Sequence, residues 1–578
     1  MKNQQVAQVL NEIADLLELR GENVFRVGAY REAARQIEAL GEPIGEIDQR
    51  GDLDKIPHVG ASIAGKIHEL LQTGHSRYLE QLQRQVPAGL VELMHVPGLG
   101  PKRARQLYDQ LGVVTVADLK TAVEQHRVCR LPHFGEKSEA NIRQAVEQLL
   151  QRTRRLLLSE ALPMAERAAE HLRRSSPAER VDLAGSLRRF RETIGDLDLL
   201  AASRDPEAVL DAFTRLPGVA RVDARGETKA TVITEEGLQL DLRVVDPSVY
   251  GAALQYFTGS KAHNIKLRTW AEQRGLKISE YGVFRADTDE RIAGATEEEV
   301  YACMGLPWIP PELREDRGEL EAARERRLPE LVALEQMRGD LQCHTKWSDG
   351  QRTIEEMVRA AESLGYEYLA ITDHSQALGV AGGLSSERRR EQRAEIEAVN
   401  RSLPRLRLLV GMEVDIRSDG ALDADEEMLA ACDVVVASLH SGLGQSREQV
   451  TRRVLAAIHH PRVHVLGHPT NRLIGRREGA DLDLDAIIHA AAATGTALEI
   501  NAQPDRLDLN DSHARRAVES GVRLVISTDA HSDTQLRYMR LGVATARRGW
   551  VGPLRVLNTR PLHELLAWLY DKRTEASG

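Results

Sequence analysis

From Gly339 onward, short apolar segments alternate with helical stretches, and most of these segments end in a histidine or a carboxylate. This alternation is typical of repeated βα units with parallel strands. Because the carboxyl ends of parallel strands meet at one face of a barrel, the side chains that end the segments should converge there. These residues are His344, Asp349, His374, Glu413, His440, His468, Asp529 and His531. Mixed imidazole and carboxylate groups suit Zn²⁺ or Mn²⁺, so the pattern predicts a metal site fit for phosphoester hydrolysis.

A second group of carboxylates lies earlier, in "GDLDLL" and "LQLDLRVV". In a strand, Asp196 and Asp198 share one face while the leucines between and after them face the core. Asp241 alternates with leucines in the same way and offers a third carboxylate. Three such groups can hold two divalent ions, although an isolated Asp-x-Asp pair is more often a solvated surface strand.

The stretch "GSLRRF" precedes the first two aspartates. A Gly185-Ser186 turn followed by Arg189 would offer backbone, hydroxyl and guanidinium donors to a polyphosphate. Together with the three carboxylates, this turn predicts a site for a nucleoside triphosphate and its metal ions.

The first part of the chain has a helical apolar pattern interrupted by three similar phrases: "IPHVGASIAGKI" (56–67), "HVPGLGPKRARQL" (95–107) and "LPHFGEKSEANI" (131–142). A glycine-rich hairpin that opens a helix can point backbone amides at phosphates without reading bases. The repeat resembles the helix-hairpin-helix element of DNA-repair proteins. This resemblance implies an all-α helix-hairpin-helix region and DNA-backbone binding through Gly60, Gly98, Gly100 and Lys102 that is salt-sensitive and sequence-tolerant. The third phrase lacks the paired glycines and is equally compatible with a simple turn.

Composition restricts the setting of the protein. The net charge of −10 opposes general nucleic-acid affinity, so any DNA contact must be local. The four cysteines are scattered without metal or disulfide spacing. No uncharged apolar run approaches the ~18 residues of a membrane span. These features predict a cytoplasmic protein without membrane contact.

The pattern changes along the chain predict four parts. They are a helical DNA-binding region (1–155), a mixed α/β core (156–315), a charged and solvated linker helix (316–338), and a barrel-like α/β domain (339–578).

The central motifs resemble the nucleotidyltransferase palm and thumb of the family X DNA polymerases. The resemblance rests on the aspartates, on "YFTGS" (256–260) and on "HNIKLR" (263–268). It implies that Asp196 and Asp198 bind both Mg²⁺ or Mn²⁺ ions, and that Asp241 helps to activate the primer 3′-hydroxyl. It also implies that Arg268 contacts the template side of the DNA. The implied nucleotide-binding residues are Ser186, Arg189, Gly195, Tyr256, Gly259, Asn264 and Arg155. Lys261 departs from the family pattern and either strengthens nucleotide binding or forms a surface ion pair.

The same resemblance places Lys66 where the family often carries a Schiff-base lysine that removes 5′-deoxyribose phosphate. Tyr30 and Arg31 also match, but Arg26 and Ser62 replace expected lysines. The alternative is a simple phosphate contact by Lys66.

The ordered motifs "HTKWSDG", "TDHS", "GMEVDI", "SLHSG", "GHPTNR" and "STDAH" resemble the polymerase and histidinol phosphatase (PHP) domain, a distorted (β/α)7 barrel with up to three Zn²⁺ or Mn²⁺ ions. Gln342 departs from this pattern, because it stands where the first histidine of an H-x-H motif is expected.

The two domains in this order resemble a bacterial family X polymerase. This resemblance implies repair synthesis on gapped or primer–template DNA with dNTPs, by a monomer with a 3′–5′ exonuclease. Processing of abasic sites or 3′-phosphates is also compatible with it. The rival interpretations are a small-molecule phosphatase and a DNA-end scaffold without activity.

Overall fold

The computed structural model describes residues 3–38, 40, 44–85, 90, 93, 96, 99–132, 134–153, 155–376 and 381–575. It divides the chain into two compact units, Met1–Arg154 and Arg155–Gly578. No helix within these described ranges is both long and apolar enough to cross a membrane.

The first unit is helical, as predicted. Val6, Leu10, Ile13 and Leu17 of its first helix are buried at the predicted spacing. The described helices are Asn3–Leu19, Val24–Glu38, Ile44–Gln49, Ala61–Thr73, Arg77–Gln85, Pro101–Leu111, Val116–Glu124 and Glu136–Thr153, with 3-10 turns at Leu53–Lys55 and Val128–Arg130.

The second unit begins with residues 155–338, which are built on a five-stranded sheet. This segment carries the motifs that resemble a polymerase and is called the polymerase part below. The sheet contains β2 (Arg180–Leu183), β4 (Leu197–Ala202), β5 (Val219–Arg225), β6 (Lys229–Thr234) and β7 (Gln239–Val245) in the order β2-β4-β7-β6-β5. Only β4 and β7 pair in parallel. A short pair joins β1 (Leu156–Leu157) to β3 (Thr193–Ile194). The helices are Leu158–Ser175, Gly185–Arg188 and Pro206–Thr214.

The polymerase part continues with helices around a small antiparallel sheet. Its strands are β8 (Leu276–Ser279), β9 (Gly282–Arg285) and β10 (Arg291–Ala293), and its helices are Tyr250–Thr258, Lys261–Glu272, Glu297–Cys303 and Glu319–Arg324.

The prediction of a solvated linker helix is wrong for its central segment. Glu319, Leu320 and Ala323 are buried. The carboxylate of Glu319 lies 2.7 Å from Nδ1 of the buried His263. Leu320 and Ala323 lie on one face of the helix Glu319–Arg324 and pack into the buried apolar cluster that contains Leu267 and Tyr301. The helix therefore has a buried face in spite of its many charged residues.

The remainder of the second unit is the barrel part, here residues 339–575. Its seven parallel strands lie in chain order, and a bridge between Cys343 and Ala530 brings the first strand to the last, which nearly closes the barrel. The strands are β11 (Gly339–Cys343), β12 (Tyr368–Ile371), β13 (Arg407–Asp415), β14 (Val434–Ser438), β15 (Val465–Leu466), β16 (Ala497–Asn501) and β17 (Leu524–Ser527). The helices are Ile354–Ser363, Ser386–Asn400, Glu426–Ala430, Arg447–Ile458, Leu484–Thr494, Asp511–Glu519, Met539–Arg548 and Leu562–Glu575. The predicted combination of helical region, α+β core and α/β barrel is confirmed.

The polymerase part and the barrel part pack against each other within the second unit. Leu507 and Leu541 of the barrel belong to the same buried apolar cluster as Phe213 of the polymerase part. Ion pairs cross the junction as well: Arg472 with Glu192 and Arg540 with Glu166, each at 2.6 Å. The domain boundaries at residues 315 and 338 stay a prediction.

Candidate active sites

The three predicted aspartates of the polymerase part come together. Asp198 on β4 lies directly opposite Asp241 on β7 in the parallel pair. One carboxylate oxygen from each of Asp196, Asp198 and Asp241 lies within 4.8 Å of the others. Asp241 is fixed by two donors, Thr231 Oγ1 at 2.5 Å and Gln239 Nε2 at 2.6 Å. This geometry fits oxygen ligands for divalent cations.

The environment of these carboxylates favours a bound cation. Burial, followed by the negative charges of Asp196 and Asp241, raises the pKa of Asp198 to about 7. Arg189 acts in the opposite direction but does not compensate. A divalent ion would relieve the repulsion among the three acids, so the donor set fits the metal that the fold implies.

The turn that precedes the aspartates requires glycine at position 185. The φ of Gly185 is +57°, and a Cβ atom at this position would lie 1.9 Å from Oδ2 of Asp198. The backbone therefore passes so close to the carboxylate that no larger residue fits, and the left-handed conformation also favours glycine.

Arg189 follows this turn and is largely buried. Its Nε donates to Glu315 at 3.1 Å, and its Nη1 donates to the carbonyl of Thr258. A Cβ atom on Gly259 would lie 3.2 Å from Nη1 of Arg189, so the segment Tyr256–Ser260 and Arg189 are neighbours. Ser186 lies in the short helix Gly185–Arg188, which ends directly before Arg189.

The other predicted nucleotide contacts occupy two places. Nδ2 of Asn264 donates to the carbonyl of Tyr256 at 2.7 Å. The guanidinium of Arg155 donates to Thr193 and lies 3.3 Å from the position of a Cβ atom on Gly195, beside the first aspartate. Lys261 and Arg268 are exposed, and their assignments stay predictions.

Sequence reasoning missed a buried ion-pair network behind the nucleotide-binding turn. Arg188 donates to both carboxylate oxygens of Glu297 at 2.8 Å, and Arg314 donates to the same carboxylate at 2.7 Å. Burial opposes ionisation of Glu297, but the charges and hydrogen bonds of both arginines hold its pKa far below the ordinary value. The adjacent arginines in "GSLRR" indicated that Arg188 could take part in an ionic contact, whereas no sequence pattern indicated that Glu297 is its partner.

Two predicted hairpin glycines lie at helix starts in the first unit. Gly60 and Gly100 cap the helices Ala61–Thr73 and Pro101–Leu111 in extended conformations, and a Cβ atom on either would meet nothing within 4 Å. The helix starts are therefore open to a phosphate. Gly98 and the side chain of Lys102 lie outside the described residues. The third hairpin has Glu136 and Glu139 in the first turn of its helix, where acids disfavour an anion.

Lys66 lies in a restricted environment in the same unit. Its Nζ donates to Ser62 Oγ at 2.9 Å and lies 4.8 Å from the ring centre of Tyr78. Burial, followed by the charge of Arg26, lowers the pKa of Lys66. A lowered pKa suits a lysine nucleophile. Both interpretations of Lys66 stay predictions.

The first unit also brings His126, Cys129 and Glu139 together. The Glu139 carboxylate accepts from the amide of Cys129 at 2.7 Å and lies 2.8 Å from Nδ1 of His126. These bonds fix the turn before the last helix and account for the cluster.

In the barrel part, all eight predicted ligands converge. Seven of them form three overlapping groups, in each of which one ligand atom per residue lies within 4.8 Å of the others: His344, Asp349, His374 and His531; His374, Glu413 and His440; and His344, Glu413 and Asp529. The eighth, His468, joins the cluster through its contact with Glu413. The fully buried Glu413 is shared, because His344, His374, His440 and His468 each place a ring nitrogen 3.1–3.4 Å from its oxygens. Overlapping groups around a shared carboxylate fit several neighbouring ions.

The electrostatics of the cluster agree with cation binding. Burial opposes ionisation of Glu413, yet the charges of His374 and His440 hold its pKa well below the ordinary value. Burial also opposes the charged form of His440, but Glu413 and Asp415 raise its pKa to about 9. His468 and Asp529 have positive φ angles of 26° and 51°, which are uncommon outside glycine and typical of functional sites.

Several residues that sequence reasoning missed orient the ligands. Asp415 accepts from the amide of His440 at 3.1 Å and lies 3.2 Å from its Nδ1. Asn501 donates to Asp529 at 3.1 Å, and Glu499 accepts from the amide of His468 at 2.6 Å. Such partners fix ring orientation and carboxylate geometry in metal sites. Asp415 could have been found from its position two residues after Glu413, on the same face of the strand.

Gln342 is fully buried, and neither atom of its side-chain amide has a hydrogen-bond partner among the described residues. A Cβ atom on Gly467, the residue before His468, would lie 3.5 Å from Oε1 of Gln342, so the amide lies beside the segment that carries His468. A buried amide without a partner fits a group that completes the coordination of an ion or its water.

We expect Gln342→His to raise the zinc content of the purified protein and to reduce its need for added Mn²⁺, because an imidazole nitrogen binds Zn²⁺ more strongly than a neutral amide oxygen. Metal analysis and exonuclease assays over a Mn²⁺ titration would measure this change. Three tightly bound ions in the unaltered protein, with activity indifferent to Mn²⁺, would contradict it.

The fold and the two clusters define a metal-dependent nucleotidyltransferase joined to a metal-dependent hydrolase barrel. Family models match a helix-hairpin-helix domain (residues 1–76), a SAM-like helix-hairpin-helix tandem (90–148), a DNA polymerase beta thumb (253–315) and a PHP domain (340–503). The DNA polymerase/3′-5′ exonuclease PolX of Bacillus subtilis (strain 168) is 43% identical over 571 residues, which cover 98% of this chain and 99% of that relative.

DNA polymerase lambda from Arabidopsis thaliana and from Rattus norvegicus are each 24% identical, over 347 and 344 residues, or 54% of this chain. These matches cover 62% and 56% of the two relatives. On the near-full-length match, the chain belongs to the PolX family of DNA polymerases.

Proposed function

We propose that the chain fills short DNA gaps by nucleotidyl transfer at the aspartate triad and removes 3′-terminal nucleotides at the barrel. The observation that carries this proposal is the presence of two separate clusters of possible metal ligands in one PolX-family chain. One consists of carboxylates at the paired strands β4 and β7, and the other consists of histidines and carboxylates around Glu413. The relative from Bacillus subtilis is named for both activities.

In the proposed synthesis step, Ser186 and Arg189 donate to the phosphates of a dNTP, and Asp196, Asp198 and Asp241 would hold two Mg²⁺ or Mn²⁺ ions. The primer 3′-oxygen attacks the α-phosphorus, the bond to the bridging oxygen breaks, and pyrophosphate leaves. Asp241, fixed by Thr231 and Gln239, orients the 3′-hydroxyl and takes up its proton.

In the proposed exonuclease step, the cluster around Glu413 would hold up to three Zn²⁺ or Mn²⁺ ions, and its residues position the terminal phosphodiester. Water forms a bond to phosphorus, the bond to the 3′-oxygen breaks, and a nucleoside monophosphate leaves. Divalent ions bound at either cluster supply a Lewis acid that neutralises phosphate charge and makes the attacking oxygen more acidic. Asp415 and Asn501 orient His440 and Asp529 for this role.

The DNA substrate follows from the family and its helix-hairpin-helix domains. We propose gapped duplexes as the preferred form, because the open helix starts at Gly60 and Gly100 suit backbone phosphates on either side of a gap. A reducing, cytoplasmic setting suits the four cysteines, none of which is joined in a disulfide in the described structure. The use of dNTPs, a monomeric state and a role in base excision repair stay proposals.

The test uses a one-nucleotide gapped duplex with a 5′-phosphate, with and without dNTPs, in Mg²⁺ or Mn²⁺, beside a small phosphomonoester such as histidinol phosphate. We expect extension by one nucleotide with dNTPs and shortening from the 3′ end without them. Turnover of the phosphomonoester without either DNA reaction would favour a small-molecule phosphatase. Binding of the duplex without any reaction would favour a scaffold.

A further inference from the structure

The barrel part contributes the side chain of Arg548 to the surroundings of Arg189, the arginine proposed to bind the nucleotide. Arg548, the last residue of the barrel helix Met539–Arg548, is almost fully buried. Its Nη1 donates to the backbone carbonyl of Arg189 at 2.7 Å and to the carboxylate of Glu315 at 3.0 Å. The same carboxylate oxygen accepts from Nε of Arg189 at 3.1 Å. Arg548 therefore reaches both the backbone of Arg189 and the carboxylate that orients its side chain.

Arg548 is itself anchored in the barrel part. Its Nη2 donates to Asp511 at 2.7 Å, and Asp511 also accepts from Arg317 at 3.1 Å. Burial opposes ionisation of Asp511, but the charges of Arg548 and Arg317 lower its pKa. The chain of contacts from Asp511 through Arg548 to Glu315 and Arg189 thus consists of charged, buried and mutually compensated groups.

From these contacts we infer that Arg548 is a positioning residue for nucleotide binding, so that the barrel part completes the polymerase site. Arg548 shares the negative charge of Glu315 and fixes the backbone that carries Arg189. Without Arg548, Glu315 would act on Arg189 more strongly, and a triphosphate would have to compete with that carboxylate for the guanidinium. This inference rests on the proposed contact between Arg189 and the triphosphate.

The test measures KM for dNTP, kcat for gap filling, and the exonuclease rate in full-length protein. Arg548→Gln should raise KM about tenfold, the scale of one lost charge-assisted hydrogen bond, and change kcat less than about twofold. Exonuclease activity should persist, because Arg548 contacts none of the barrel ligands in the described structure. Arg548→Lys retains the charge and one donor, so its KM should lie between those of the unaltered protein and Arg548→Gln.

Arg540→Gln is the matched control. Arg540 lies on the same helix and also crosses the junction, where it pairs with Glu166 at 2.6 Å and lies 5.9 Å from the ring centre of Phe190. In the described structure no hydrogen bond or ion pair joins Arg540 to Arg189 or Glu315. We expect its KM to equal that of the unaltered protein. An equal rise in KM for both glutamine variants would show a general effect of the junction and overturn the inference.

Arg189→Gln distinguishes failure of the positioning role from failure of the proposed nucleotide site, because glutamine removes the charge that would bind phosphate. If Arg189→Gln raises KM but neither Arg548 variant does, the positioning role is wrong while the proposed nucleotide site stands. If Arg189→Gln leaves KM unchanged, the proposed triphosphate contact fails and the inference fails with it. If Arg548→Gln does not fold, Arg548→Lys decides: an unchanged KM contradicts the inference and a raised KM with unchanged kcat supports it.

Discussion

Asp198→Ala should abolish nucleotide addition and leave the 3′–5′ exonuclease intact. Removal of the carboxylate takes away a ligand at the centre of the triad, and even residues that only orient metal ligands typically cost 10–100-fold when changed, so we expect a loss of more than about 100-fold. The barrel cluster has its own eight predicted ligands, none of which belongs to the triad, and should be unaffected. Gap-filling and exonuclease assays on the same preparation would measure both effects.

His468→Ala should have the reverse effect. His468 lies 3.1 Å from Glu413 in the barrel and contributes nothing to the triad. In each variant, the retained activity serves as the control for folding. A folded variant that lost both activities would contradict the two-site proposal.

Gly185→Ala should reduce nucleotide addition by more than about 100-fold, because the new methyl group would displace a metal ligand. Its Cβ atom would lie 1.9 Å from Oδ2 of Asp198, so either the carboxylate or the turn that carries Ser186 and Arg189 must move. We expect the exonuclease rate to stay unchanged.

Gly275→Ala is the matched control for Gly185→Ala. Gly275 has a similar positive φ of +70°, but a Cβ atom there would meet nothing within 4 Å. It should incur the strain of an alanine in the left-handed region, about 1 kcal/mol of stability, without loss of polymerase activity. Comparable loss of polymerase activity in both variants would show that backbone strain, rather than the collision with Asp198, is responsible.

Both clusters could be predicted from the sequence because their ligands follow a strand period. Asp196, Asp198 and Asp241 alternate with leucines, and most of the predicted barrel ligands follow an apolar segment, although Asp349 lies in the polar stretch after His344. Alternation fixes the face of a side chain, and parallel strands place their ends together, so local pattern was sufficient there.

The features that escaped prediction depend on contacts between distant segments. The collision that makes Gly185 necessary involves the neighbouring strand, and the pairing of Arg188 with Glu297 joins residues 109 positions apart. The buried Glu319 was misjudged because its partner, His263, lies in another helix. A charged residue reads as exposed unless its partner is known, and a single sequence does not supply the partner.

The apolar contacts between the polymerase part and the barrel part limit how readily either part can be excised or replaced. Leu507 and Leu541 of the barrel part lie in the cluster that contains Phe213. A barrel cut out at residue 339 would present both leucines to water, beside arginines that have lost their carboxylates. To obtain a soluble barrel part alone, the apolar residues of this surface would have to be replaced by polar ones, since exposed apolar patches promote association. The nuclease half is thus not a transplantable module, and new specificities are better introduced through its loops than by exchange of the whole domain.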